Sequence, residues 1–99
     1  MSARQRLPRR RAVYELEPDL LLVFKPRGHL EIEHSHDYNQ RVRLIRGKLE
    51  IRYAARRSVL GERSRAATIP ARRRHATQAL LDTWLLVEKL PPSTRGEAS

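Results

Sequence analysis

Cysteine is absent from this chain, and that absence removes two kinds of chemistry at once. No disulfide can staple the fold and no thiolate can hold a metal, so any metal must sit on imidazole, amide or carboxylate. Aromatic residues are scarce, with one Trp, one Phe and three Tyr, too few to build a stacking platform for bases. Long apolar runs are missing as well. The longest, such as "LLLVF" at 20–24, fall far short of the roughly 20 residues that cross a bilayer, so no membrane partner is expected. The start, "MSARQRLPRRR", is basic but runs on into "AVYELEPD" instead of the apolar core of a signal peptide. A cytoplasmic protein is the expectation.

What the chain has in quantity is arginine. Its 21 Lys and Arg against 11 Asp and Glu leave a formal charge of +10, which invites a nucleic-acid reading. The distribution argues for the weaker form of it. Arg4, Arg6, Arg9, Arg10 and Arg11 crowd the first residues, while most others are scattered through strand-like and loop segments. No helix carries them as a stripe, so a solvated basic surface explains them better than a nucleic-acid partner. At 99 residues there is room for one domain with a modest core. Residues 1–12 read as a flexible basic arm, 13–90 as the domain, and 91–99, "PPSTRGEAS", as a frayed tail.

Within 13–90 helical spacing is hard to find and strand alternation recurs. In "HLEIEHSH" the even positions Leu30, Ile32, His34 and His36 share one face, taken as inward, with Glu31, Glu33 and Ser35 on the other. In "QRVRLI" Gln40, Val42 and Leu44 point one way, Arg41 and Arg43 the other. "IRGKLEIRY" reads as a hairpin turning at Gly47, with Leu49, Ile51 and Tyr53 buried on its return. Some seven or eight short strands (roughly), spaced by Gly and Pro, predict an all-β sandwich or barrel.

The polar residues that stand out are in "HSHDYNQ", residues 34–40. Side chains two apart on a strand leave the same face, about 7 Å apart at Cα, and two imidazoles can converge on one ion from there. Histidines on a buried face also need partners for their ring nitrogens, which a metal would supply. A half-buried pair with no metal is equally compatible with the spacing. Gln40 shares the parity of both histidines but lies beyond a turn at 37–39, and His75 is the natural source of a further ligand.

These residues carry a family resemblance. "GHLEIEHSHDYNQRVRLIRG", Gly28 to Gly47, resembles the first motif of the cupins: Gly, five residues, His-x-His, a short gap, an acid, six residues, Gly, with Gln40 in the acid's place. "SRAATIPARRRHATQA", Ser64 to Ala79, is similar to their second motif. There Pro70 and His75 match, while Ser64 and Arg72 replace glycines and Ala79 an asparagine. The resemblance implies an antiparallel jelly-roll barrel, often a homodimer, holding a divalent transition metal (Mn, Fe, Ni, Zn or Cu) through His34, His36, Gln40 and His75. It further implies a small anionic ligand and either a dioxygenase, a lyase or isomerase, or a non-catalytic binding protein. The His/His/Gln/His set resembles that of cupins of pectin degradation, which act on unsaturated uronates and carry an Asp before an aromatic on the last strand. Asp82 does precede Trp84, although by position it reads as a turn residue. Tyr38, Tyr53 and Arg72 are the candidates for contact with the ligand, and Asp37 for orienting an imidazole.

Overall fold

The computed structural model describes residues 10–90; the outer parts of the basic arm and the whole of the tail, 1–9 and 91–99, lie outside the described residues. Nine strands follow one another without a helix among the described residues: β1 (Ala12–Glu17), β2 (Leu20–Lys25), β3 (Leu30–His34), β4 (Asn39–Arg46), β5 (Leu49–Tyr53), β6 (Arg56–Leu60), β7 (Ala66–Ile69), β8 (His75–Ala79) and β9 (Thr83–Leu90). Among the described residues no helix is long and apolar enough to cross a membrane. The strands form two antiparallel sheets, a five-stranded one in the order β1-β2-β9-β4-β7 and a four-stranded one in the order β3-β8-β5-β6. This is the jelly-roll arrangement of an all-β fold.

The larger sheet follows its sequence pattern closely. Val42 and Leu44 on β4 are buried while Arg41 and Arg43 are exposed, and Val42 pairs with Val87 and Leu44 with Leu85 on β9. Val23, Leu49, Ile51, Leu60 and Ile69 complete the core between the sheets. Each such side chain stabilises the fold by about 1.5–3 kcal/mol. On the opposite face of the larger sheet Phe24 lies against Trp84, ring centroids 4.8 Å apart, and Tyr14 stacks on Trp84 at 6.4 Å.

The turn at Gly47 is not a hairpin, contrary to the pattern of "IRGKLEIRY". β4 belongs to one sheet and β5 to the other, so the chain crosses the sandwich there. Gly47 has φ 108°, and a Cβ on it would run into the Asp82 carbonyl and Thr83. The second crossing, between β8 and β9, passes through those same residues. The buried Thr83 hydroxyl accepts from the Lys48 N–H (3.1 Å) and lies 2.7 Å from the Leu81 carbonyl, the two crossings bracing one another. Hairpin and crossing carry the same local signature, a glycine between two alternating runs; only the long-range pairing separates them.

Candidate metal centre

β3 does not keep the alternation its sequence displays. Glu31 pairs with Thr77, but the next paired residue on β3 is His34, opposite His75. Ile32 and Glu33 therefore stand against Ala76 alone, which is a β-bulge. One extra residue reverses the parity of everything before it. Leu30 and Ile32, expected inside, are exposed (Ile32 at 75%), and Glu31, expected outside, turns its carboxyl towards the interior, where it lines a cavity of about 390 Å³. His34 lies after the bulge and His36 just beyond the strand, and both face in.

The bulge and the β3–β8 register bring three imidazoles together. His34 and His75 have ring centroids 4.4 Å apart, His34 and His36 4.8 Å, and His36 and His75 5.4 Å. One nitrogen from each lies within 4.8 Å of the others, close enough for a shared cation. The other nitrogens are engaged. Nδ1–H of His34 donates to the Ile32 carbonyl (2.7 Å) and Nδ1–H of His75 to the Arg73 carbonyl (2.9 Å). A carbonyl can only accept, so each Nδ1 carries a proton, and in the neutral ring it is Nε2 that keeps the lone pair. His36 Nδ1 sits 3.2 Å from the Tyr38 hydroxyl, whose ring stacks on the imidazole. Carbonyls and a phenol thus do the orienting that Asp37, exposed at the surface, was a candidate for.

The electrostatics also suit metal binding. Burial lowers the His75 pKa; the Arg73 carbonyl opposes this, and the charges of His34 and Lys25 add to it. Burial likewise lowers His36, helped by His34, His75 and Lys89. Neutral imidazoles are what a cation requires. The donor set fits a divalent transition ion: three imidazoles, two of them with the tautomer set by a main-chain carbonyl, and no thiolate. The three histidines can hold such an ion.

The other expected residues fall in different places. Gln40, in register with Lys89 across β4 and β9, lines the same cavity, as does Tyr38. Tyr53 and Arg72 are not among the residues that line it. Tyr53 packs against the core beneath the Arg73 guanidinium, 4.6 Å above its ring. Arg72 is exposed, and its backbone N–H donates to the His36 carbonyl (2.6 Å). It holds φ 64° at a position where the motif has glycine, so the left-handed turn survives without one. Asp82 is a turn residue whose carboxylate accepts from the Arg27 N–H (2.8 Å).

The sequence reading passed over Lys25. It is buried in the cavity wall, and its Nζ donates to the Thr77 hydroxyl across the sandwich (3.0 Å). Burial brings its pKa from 10.5 to about 8, with Glu31 opposing and Arg11 assisting. Leu21 and Val23 share its parity on β2 and line the same cavity; that alternation was the available signal. Glu31 completes the group. Burial would raise its carboxyl, but the His29 hydrogen bond and the charges of Lys25 and Arg11 outweigh burial and hold it below the ordinary value.

Solved structures show the same fold. No family model and no curated protein matches this sequence. A cupin superfamily protein from Desulfitobacterium hafniense superposes with a TM-score of 0.71 at 13% identity, covering 90% of this chain and 85% of its own. KdgF from a Halomonas species gives 0.62 at 24% identity, over 83% and 78%. The DMSP lyase DddQ of Ruegeria pomeroyi gives 0.70 at 22% identity, over 82% of this chain and 47% of its own. At these identities the likeness is one of fold, and the fold is that of the cupins.

Proposed function

We propose that this protein is a metal-dependent cupin enzyme acting on a small anionic molecule, with a divalent transition metal on His34, His36 and His75 and Gln40 as a further ligand. The observation that carries the reading is the convergence of three pre-oriented imidazoles on one cavity. When bound, the ion would act as a Lewis acid on an oxygen of the substrate. Three imidazoles and an amide neutralise none of its charge, which favours an anionic co-ligand. The chain's own charges point the same way, because Arg11, Lys25 and Lys89 line the cavity against a single carboxylate, Glu31. Tyr38, hydrogen-bonded to His36, is the group beside the histidines that can pass a proton. That favours a lyase or isomerase over a dioxygenase. A non-catalytic binding protein is the second reading, favoured by the engagement of Glu31 with Arg11 and His29.

Metal analysis of the purified full chain tests the site. Wild type should carry metal, and His34→Ala with His75→Ala should lower affinity by at least about a hundredfold; unchanged metal content would refute the assignment. Incubation of the loaded protein with uronates and enolisable acids then separates turnover from thermal stabilisation alone.

A further inference from the structure

Lys25 is a buried cation that the protein leaves without a directly bonded counter-charge. Its hydrogen-bond partner is the neutral hydroxyl of Thr77, and no ion pair of Lys25 lies within 4 Å among the described residues. Glu31, on the strand opposite Thr77, has Oε2 taken by both the Arg11 guanidinium (2.7 Å) and the His29 imidazole (2.8 Å). Lys25, Arg11 and Glu31 together therefore leave one net positive charge in the cavity wall. Burying such a charge is costly unless something negative meets it, and an ammonium bonded to one hydroxyl still has two protons to give. The place is also fixed relative to the histidines. Thr77 follows His75 by two residues on β8, with both side chains on the cavity face, a step of about 7 Å. Leu21, Val23, Leu85 and Val87 supply apolar wall to the same cavity.

We propose that Lys25, with Thr77 and Arg11, forms a carboxylate-binding subsite distinct from the histidine cluster, so that the ligand is a small molecule with two polar ends. One end meets the histidines and their metal, the other is a carboxylate on Lys25, and a short carbon chain lies against the apolar wall. The spacing suits a chain of about four to six carbons. This rests on the metal reading for the ligand's first end; the Lys25 end stands on its own contacts.

Titration calorimetry of the full chain tests it, using succinate and adipate against butyrate and hexanoate. In metal-loaded wild type the better diacid should bind at least about tenfold tighter than its monoacid, as a charge-assisted hydrogen bond requires. Lys25→Met should abolish that preference, lowering diacid affinity far more than monoacid affinity, and leave metal content unchanged. Should Lys25→Met fail to fold by circular dichroism, Lys25→Gln is read in the same way, and Thr77→Val should weaken the preference in part. A preference unchanged in the Lys25 variants, or no preference for either diacid in wild type, overturns the subsite. A structural role alone would lower both affinities by the same factor, which also overturns it. If wild type takes up no metal, the metal reading fails, while the dependence of adipate affinity on Lys25 in metal-free protein still decides the subsite.

Discussion

The two ends of the cavity solve opposite problems. At the histidine end burial pushes His36 and His75 towards the neutral form, each ring is held from behind by an acceptor or a phenol, and the cluster can be assembled before any ligand arrives. At the Lys25 end a charge is buried against a hydroxyl, and the fold itself bears the cost of keeping it there. Neutral donors can be preorganised cheaply because desolvating them asks little beyond one hydrogen bond each. A buried ammonium stays a source of strain until an anion meets it.

That contrast can be broken from the Lys25 side first. Below pH 8 folding carries the full penalty of a buried charge. Between 8 and 10.5 the unfolded chain keeps a proton that the folded one has lost, so stability rises with pH; above 10.5 the two states agree. A shift of this size corresponds to about 3 kcal/mol. Lys25→Met, which removes the charge and also the Thr77 bond, is therefore expected to stabilise the protein by about 2 kcal/mol at pH 7. Its advantage over wild type should shrink towards pH 10 in denaturant titrations. A variant less stable than wild type at pH 7 would show that Lys25 is not under strain.

At the histidine end the effects are smaller and concern affinity. Tyr38→Phe takes away the hydroxyl beside His36 and should weaken metal binding about tenfold, measured by competition with a chelator, with little change in melting temperature. Unaltered affinity would mean that stacking alone holds the ring. The smallest expected change is at Arg72. A non-glycine residue at positive φ costs about 1 kcal/mol, so Arg72→Gly should gain somewhat less than that, because glycine loses more chain entropy on folding. Thermal melts of the two proteins decide it, and a loss would show that the arginine side chain stabilises the turn.

How far the sequence revealed this depended on where its periodicity was interrupted. From Gln40 to Leu44 β4 alternates without a break, and its inward residues were legible in order, Gln40 included. β3 alternates just as plainly in sequence, yet the bulge at Ile32 and Glu33 turns its first half over. No local pattern announces a bulge, since it arises from pairing with β8 some forty residues away in sequence. The histidines were legible because both lie beyond it. Glu31 was misplaced for the same reason that His34 was not. Lys25 was visible in the parity of Leu21 and Val23, but a lone lysine at a strand end is ordinarily a surface residue, and only the cross-sheet bond to Thr77 says otherwise.

The acceptors behind His34 and His75 belong to the main chain, two residues upstream in each case. A main-chain carbonyl has no codon of its own. Substitution at Ile32 or Arg73 changes the side chain and leaves the oxygen where it was, so these two ring orientations are inherited with the strand path. Tyr38 is different, for its hydroxyl is lost in a single base change. Lineages descended from this protein should therefore drift most freely in how they hold His36, and hold the other two histidines alike.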